Sequence, residues 1–129
     1  MAIEFKRQSQ VYLAGGFYKN YKDIVYGALG HGFLLLDPEN RTCKPMPGEY
    51  VGADLRDIEN ADVLLAYQDV YPYVYGMAAE MGYAVAVGKP VIYVCTAKRV
   101  DSFLSGLARA TFTDLAAACQ FIRERYAGN

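Results

Sequence analysis

Short apolar runs alternate along the chain with segments whose apolar residues recur at helical spacing. The first run ends at Gly15-Gly16, and the fourth run follows the helix-breaking residues 88–90. Alternation of this kind is typical of βαβ units. The pattern predicts strands at 10–15, 33–36, 62–67, 91–95 and 110–112, helices at 20–30, 54–60, 75–87 and 102–107, a loop at 41–50, and a last helix capped by Thr113 that ends at Tyr126.

Continuous apolar strands are typical of a parallel sheet that is covered on both faces. We therefore predict an α/β fold: a small doubly wound, flavodoxin-like or Rossmann-like parallel five-stranded sheet with helices on both faces. No linker or repeat divides the sequence, so residues 1–129 are expected to form a single domain. Sheets of this class bind ligands beyond the carboxyl ends of their strands, and the functional site is expected there.

The charge and the hydropathy of the sequence do not favour binding to a highly charged partner or insertion into a bilayer. Thirteen Lys and Arg residues against fourteen Asp and Glu residues leave a net charge of −1. A nucleic-acid polymer or an anionic membrane surface usually selects a cationic excess. The longest stretch without a charged residue, 24–36, is shorter than the roughly 18 residues of a membrane span. We expect neither a nucleic-acid polymer nor a membrane as partner.

Histidine and cysteine are scarce, and this limits the available chemistry. His31 is the one histidine, and Cys43, Cys95 and Cys119 stand far apart without a C-x-x-C spacing. A His/Cys metal site is not expected from these residues. Three unpaired thiols without a secretion signal predict a cytoplasmic protein, with Cys95 in the core. Any catalysis has to come from carboxylates, tyrosines, amides and the backbone.

Glu80 is the most informative single residue. It is the only charged side chain from Val70 to Gly88, and it lies inside a predicted helix of apolar neighbours. A carboxylate in apolar surroundings is costly unless it is paired or has a task, although it can also mark the solvent face of an amphipathic helix. Asp54 is a second candidate, with a helix N-cap as the plainer interpretation. Tyr12, in the first strand, is interpreted as a core residue whose hydroxyl is satisfied at one end.

Other candidates surround the expected site. Gly15-Gly16 allows the backbone to pass close to a ligand, and a tight turn explains the pair equally well. Asp69 follows the third strand and is a candidate for substrate contact, whereas Asp62 is interpreted as a structural cap. The tyrosines at 71, 73 and 75 are interpreted as a stacking surface, a packed loop or a subunit interface.

Four segments, in order, resemble the nucleoside 2-deoxyribosyltransferase family. The first strand and its glycine turn, 11–17, are similar to that family's opening motif, and 54–63, with Asp54-Leu55 and Asp62-Val63, to its second. The segment 76–84, Gly-Met-Ala-Ala-Glu-Met-Gly-Tyr-Ala, is similar to its most specific motif. Residues 101–106 fall where the family places a segment that reaches a neighbouring subunit. The resemblance covers about residues 10 to 126.

The resemblance implies that Glu80 is a nucleophile that displaces the base of a 2-deoxyribonucleoside and forms a covalent deoxyribosyl-enzyme. Tyr12 would orient Glu80, and Asp54 would hold the base or pass a proton to its leaving nitrogen. The resemblance implies small nucleosides or nucleotides and free nucleobases as partners, a role in nucleotide salvage, and no metal or organic cofactor. It also implies a homodimer or higher homo-oligomer with shared sites. The implied substrate-binding residues are Gly15, Gly16, Phe17, Asp69, Val74, Gly76, Asp101 and Phe103, the last two completing a neighbour's site.

Three departures from the family pattern keep alternatives open. Val74 stands where the transferases carry an acid and related nucleotide hydrolases a serine, and Tyr75 replaces a small polar residue. Asp101, at the position of a transferase asparagine, would repel a 5-phosphate, whereas Lys19 and Lys22 would attract one. The leading interpretation is a deoxyribosyltransferase-type enzyme. The alternatives are a 2-deoxynucleoside 5-monophosphate N-glycoside hydrolase, a non-catalytic nucleotide-binding module and an oligomeric scaffold.

Overall fold

The structure of this chain is a computed structural model, which describes residues 7–15, 19–41, 46, 48–69 and 74–128. Two predicted site residues, Gly16 and Phe17, lie outside the described residues, as do Cys43 and the tyrosines at 71 and 73. Predictions that rest on those residues therefore remain predictions.

Five strands and five helices alternate along the described chain. The strands are β1 (Ser9–Gly15), β2 (Phe33–Leu36), β3 (Val63–Gln68), β4 (Val91–Cys95) and β5 (Ala110–Phe112). The helices are α1 (Lys19–Leu29), α2 (Tyr50–Asn60), α3 (Tyr75–Ala86), α4 (Ser102–Leu107) and α5 (Leu115–Tyr126), with a short 3-10 turn at Pro38–Asn40. Within the described residues, no helix combines the length and the apolar character needed to cross a bilayer.

The strands form one parallel sheet in the order β2-β1-β3-β4-β5. This is the flavodoxin-like order, and the predicted fold class is confirmed. After β1 the chain adds β2 along one edge of β1. It later crosses back and adds β3 along the opposite edge of β1. The carboxyl ends of β1 and β3 therefore flank the topological switch point, where sheets of this class bind their ligands.

The pleat of the strands divides the core into two layers. Val11, Leu13 and Leu65 point toward α1 and α5, where Val25 and Ile122 are fully buried. The alternate positions of the same strands point toward α2, α3 and α4. The buried side chains of this second layer are Tyr12, Ala14, Ile58, Ala61, Leu64, Ala66, Met77, Met81, Ala84, Val91, Tyr93, Cys95 and Leu104. Helices thus cover both faces, and the interpretation of Cys95 as a core residue is confirmed.

Two predicted helix starts are wrong. The second helix begins at Tyr50, inside the segment predicted as loop, so Asp54 lies in its second turn and is not an N-cap. The pattern missed this turn because prolines precede it and Gly52 interrupts it. In α5 the N-cap is Asp114, whose carboxylate accepts hydrogen bonds from Ala116 N and Ala117 N, and not Thr113. A carboxylate satisfies the helix N–H groups and also interacts favourably with the helix dipole.

Gly15 ends β1 in a backbone conformation that side chains avoid. Its φ is +148°, and a Cβ placed there would lie 2.8 Å from the carbonyl oxygen of Tyr67 and 3.3 Å from the hydroxyl oxygen of Tyr21. The carbonyl belongs to β3, paired with β1, and cannot move without disturbing the sheet. Gly15 therefore keeps β1 and β3 close together at the switch point.

Replacing Gly15 by alanine should destabilise the fold. We expect G15A to lower the free energy of unfolding by about 1–3 kcal/mol, from backbone strain together with the close contact. Gly27 in α1 has open space around its missing Cβ, so G27A should be neutral or stabilising by up to about 1 kcal/mol. Urea unfolding of both variants measures the difference. Equal stability of G15A and G27A would show that the strand end tolerates a side chain.

Candidate active site

Glu80 lies in the middle of α3 and meets Tyr12 from the neighbouring sheet. The Tyr12 side chain points from β1 into the helical layer, where it is 0% exposed, and its hydroxyl donates a hydrogen bond to Glu80 Oε2. The contact joins residues 68 positions apart in the sequence. The structure therefore brings together two of the three residues predicted to be catalytic, and Glu80 does not lie on a solvent face.

Asp54, the third predicted catalytic residue, lies on α2 opposite Glu80. Its Oδ1 accepts a hydrogen bond from Arg41 Nη2 at 2.5 Å. The same guanidinium donates to Asp57 Oδ2, from Nη2 at 2.9 Å and from Nε at 3.3 Å. Asp54 and Asp57 are three residues apart on the helix and so share one face. Arg41 follows the 3-10 turn after β2 and thereby ties that segment to α2.

Two small cavities meet at Glu80. Each measures about 200 Å³, and Asp54, Gly76 and Glu80 line both. The remaining wall of the first cavity is apolar and consists of Val51, Leu55 and Ala79. The second cavity extends to the end of β1 and α1, where its further lining residues are Leu13, Gly15, Lys22, Pro38 and Met77. A mainly apolar recess with a few convergent polar groups is typical of a small-molecule site.

Burial sets the protonation of the Glu80–Tyr12 pair. Burial raises the pKa of Glu80 to about 7, and the negative charge of Asp54 also raises it, while the hydrogen bond from Tyr12 and the charge of Arg41 lower it. Burial and the adjacent Glu80 also raise the pKa of the Tyr12 hydroxyl above its usual range. Tyr12 therefore keeps its proton and acts as donor, and Glu80 is the member of the pair that titrates near neutral pH.

Four other predicted substrate-binding residues, Asp69, Val74, Asp101 and Phe103, lie outside the two cavities at Glu80. A third cavity of about 400 Å³ lies at the ends of β3 and β4, and Val74 and Asp101 line it beside Gln68, Arg99, Val100 and Ser102. The Asp101 carboxylate caps α4 by accepting a hydrogen bond from Leu104 N at 2.9 Å. Phe103 is 73% exposed, and Asp69 directly follows β3. None of these four side chains lines the two cavities at Glu80.

Lys22, which the sequence suggested as an attractor of a 5-phosphate, is already paired with carboxylates. It lies within α1 and is nearly buried, with its ammonium group 2.7 Å from Asp37 Oδ1 and 2.9 Å from Glu39 Oε1. It lines the cavity beside Gly15 but shares its charge with two carboxylates. A phosphate that approached Lys22 would therefore compete with these two anions.

Sequence reasoning missed Arg41 and Asp57, which hold Asp54 in place. The spacing of Asp54 and Asp57 on a helix was a usable signal, but the cation between them comes from a segment with no recognisable pattern. Asp62 does act as a structural cap, since its carboxylate accepts hydrogen bonds from Gln10 N and Arg7 Nη1. Within the described part of the chain, no group of three His, Cys, Asp or Glu residues could hold a metal ion.

The raised pKa of Glu80 makes a prediction for stability. In the unfolded chain this carboxyl has its ordinary pKa near 4.5, and in the folded chain about 7. The stability gained from a protonated Glu80 is complete below the unfolded pKa and is lost as the pH rises through about 7. Relative to wild type, E80Q should therefore gain roughly 1–3 kcal/mol of unfolding free energy between pH 4.5 and pH 8.

Urea unfolding of wild type and E80Q at several pH values measures this gain. Glu124→Gln, on the exposed side of α5, provides the matched control, since Glu124 lies on the opposite face of the sheet. Its difference from wild type should not change over the same pH range. A gain in E80Q that is flat with pH would contradict the raised pKa of Glu80.

Comparisons with known proteins agree on one family. The family model described as nucleoside 2-deoxyribosyltransferase matches residues 36–115, which is more than half of the chain. A search of curated protein sequences finds no match. Among solved structures, a 2-deoxyribosyltransferase from Leishmania mexicana is similar over 92% of this chain and 99% of its own, with 19% identity and a TM-score of 0.73.

Two further structures share the fold. A 2-deoxyribosyltransferase from Bacillus psychrosaccharolyticus matches 84% of this chain and 89% of its own, at 22% identity and a TM-score of 0.71. A CMP N-glycosidase from Clostridium botulinum matches 90% of this chain and 99% of its own, at 20% identity and a TM-score of 0.65. The resemblance expected from the sequence motifs is confirmed. With a family model that covers both Asp54 and Glu80, the chain belongs to the nucleoside 2-deoxyribosyltransferase family, an enzyme family of transferases and N-glycosidases.

Proposed function

We propose that this enzyme cleaves the N-glycosidic bond of a 2-deoxyribonucleoside through a covalent deoxyribosyl-Glu80 intermediate. The observation that carries the proposal is the Glu80 carboxylate, which is held by the Tyr12 hydroxyl at the meeting point of two cavities that Asp54 also lines. A buried carboxylate beside a substrate-sized recess suits a reaction whose transition state develops positive charge at the anomeric carbon.

The proposed reaction has two displacement steps. In the first, a Glu80 carboxylate oxygen attacks C1′ of the sugar, the bond from C1′ to the base nitrogen breaks, and its electron pair leaves with the base, which takes up a proton. In the second, a nitrogen of another base, or water, attacks C1′, loses a proton and releases Glu80. The first acceptor gives transfer and the second hydrolysis, and a double displacement of this kind retains the anomeric configuration.

Tyr12 and Asp54 have different tasks in this scheme. The Tyr12 hydroxyl donates to one oxygen of Glu80 and so fixes the carboxylate, leaving the other oxygen for attack. Asp54 faces the reacting base, either as a hydrogen-bond acceptor or by passing a proton to the leaving nitrogen. Because the pKa of Glu80 is about 7, its carboxylate form, which is the nucleophile, is accessible near neutral pH. Gly15 and Gly76 supply the open walls of the cavities.

A 2-deoxynucleoside 5-monophosphate hydrolase is the second candidate. It is favoured by the cation of Lys22 in the cavity wall. The similarity to a CMP N-glycosidase points in the same direction. Against it stand the two carboxylates that already pair with Lys22. We therefore place the unphosphorylated deoxynucleoside first.

We also propose a homo-oligomer with shared sites, acting in nucleotide salvage in the cytoplasm. Phe103 is 73% exposed and Tyr75 is 78% exposed, which suits aromatic side chains that a second copy covers. In this assembly Asp101 and Phe103 complete a neighbour's site, while Asp69 and Val74 contact the substrate. The buried thiols of Cys95 and Cys119 are free, in keeping with a reducing compartment.

Product analysis on a nucleoside panel tests the reaction. Deoxynucleosides, ribonucleosides and their 5-monophosphates are incubated with the protein, with and without a second free base, and separated by chromatography. We expect release of base from a deoxynucleoside, and a new nucleoside when the second base is present. E80Q should lose activity by a factor of at least about a thousand, because the attacking oxygen is replaced by an amide. Glu124→Gln should retain wild-type rates.

Each pattern of products has a defined meaning. Free base without exchange identifies a hydrolase, and a requirement for the 5-phosphate identifies the second candidate. Intact mass after acid quench should show wild-type protein that carries one added deoxyribosyl group, whereas E80Q should show none. Unchanged turnover in E80Q, or no reaction with any member of the panel, would refute the proposed function.

Gly76 provides an independent test of the cavity. Its missing Cβ faces open space, and its backbone lines both cavities beside Glu80. G76A places a methyl group there and should raise KM by about tenfold, because the methyl group obstructs the nucleoside. Gly82 lies in the same helix with equally open surroundings, but it lines neither cavity. G82A should therefore keep the wild-type KM, and an equal rise in both variants would place the substrate elsewhere.

A further inference from the structure

Arg41 is a charged residue of the site that the proposed mechanism leaves without a task. Its side chain is only 14% exposed, and it bonds Asp54 and Asp57, whose side chains are 18% and 29% exposed. Bringing three charged groups out of water is costly and needs compensation from their mutual contacts. If Arg41 only linked the 3-10 turn after β2 to α2, apolar residues could make that link at a lower desolvation cost.

Within the part of the chain that the structure describes, the contacts of Arg41 leave one oxygen of Asp54 without a hydrogen bond. Asp54 Oδ1 accepts from Arg41, whereas Asp54 Oδ2 accepts no hydrogen bond from any residue in the described ranges. Asp54 also lines both cavities at Glu80. Asp57, the second partner of Arg41, lines neither cavity and accepts hydrogen bonds from the same guanidinium. Because a guanidinium is a planar fork, binding both carboxylates fixes its orientation and therefore that of Asp54.

We propose that Arg41 is a positioning residue, which holds Asp54 as a fixed hydrogen-bond acceptor for an N–H group of the nucleobase. The proposal rests on the proposed function. It selects the first of the two tasks left open for Asp54, since a carboxylate paired with a guanidinium is held in the form that accepts protons from donors. The preferred substrates then carry an amino or imino N–H on the edge of the base that faces α2.

The same ion pair acts on Glu80 through space. The charge of Arg41 lowers the pKa of Glu80, whereas the charge of Asp54 raises it. Loss of Arg41 would leave the charge of Asp54 uncompensated beside Glu80, and Glu80 would ionise only at higher pH. Within the described residues, the charged or titratable groups that face Glu80 or its immediate partners are Tyr12 from β1, Asp54 and Asp57 from α2, Arg41 itself, and Tyr21 and Lys22 from α1.

Two measurements on Arg41→Met test the proposal. The first is an NMR titration of protein with ¹³C-labelled glutamate carboxyl groups, in which the spectrum of E80Q identifies the Glu80 signal. The Glu80 midpoint should move to higher pH by about half a unit or more. The second is kcat/KM for base release, which should fall about tenfold to a hundredfold at pH 7, with its acid limb displaced in the same direction.

Two further variants separate positioning from a structural role. Arg41→Lys keeps the charge but not the planar fork, so it should keep the wild-type midpoint and still lose part of kcat/KM at every pH. It also serves as the test protein if Arg41→Met does not fold. Arg7→Met removes another arginine–aspartate pair, between Arg7 and Asp62, which lies away from both cavities. Arg7→Met should leave the midpoint and kcat/KM unchanged.

The two possible failures are distinguishable. An unchanged Glu80 midpoint in Arg41→Met, or an unchanged kcat/KM, would overturn the positioning role of Arg41. Arg41 would then be only a structural link between the 3-10 turn after β2 and α2. If the wild-type protein itself releases no base, the proposed function fails. The titration needs no turnover and is therefore informative even in that case. A displaced Glu80 midpoint in Arg41→Met would still show the electrostatic effect of Arg41 on Glu80, and an unchanged midpoint would refute that effect.

Discussion

A carboxylate taken out of water next to a phenol hydroxyl is the interaction on which the site depends. Glu80 lies on α3 beside the apolar layer between that helix and the sheet, and the Tyr12 hydroxyl donates a hydrogen bond to one of its oxygens. One hydrogen bond does not offset the burial of a charge, and this is why the pKa of Glu80 rises to about 7. The protein thereby keeps a partly buried, titratable carboxyl group at the expense of stability, a trade-off that is frequent at functional sites.

The topology of the sheet explains why this pair forms where it does. Tyr12 is on β1, the strand at which the chain reverses its direction of winding, and β1 pairs with both β2 and β3. Its side chain points to the helical layer that holds both α2 and α3. Tyr12 therefore supplies a buried hydrogen-bond donor to Glu80 on α3. The carboxylate of Asp54 on α2 lines the cavities next to this pair. Gly15, three residues later, has no side chain and so allows the end of β1 to lie close enough to β3 for the two strands to remain paired.

The fold was predictable from the sequence because each strand and most helices carry a local signal. Apolar runs such as 91–95 and the helical spacing around Ile24 gave the elements, and the known handedness of crossovers gave their arrangement. Glu80 was also predictable, as a lone charge among apolar neighbours. The start of α2 was not, since Tyr50 to Ala53 lack a capping residue and the helix depends on its packing against α3. Arg41 was equally hidden, because its importance lies in two contacts across the fold and not in any pattern around it.

The arrangement of charges also bears on how the base leaves. A departing base nitrogen has to gain a proton, and the transferase-type acid at the start of α3 is replaced here by Val74. Tyr12 is committed to Glu80, and Asp54 is committed to Arg41. Among the described residues that line the two cavities, the remaining charged side chain is Lys22, which is itself paired with Asp37 and Glu39. In the proposed reaction, bases that leave readily, or that water can protonate at an exposed nitrogen, are therefore the favoured substrates, with Glu80 as the nucleophile and Asp54 as the group that orients the base.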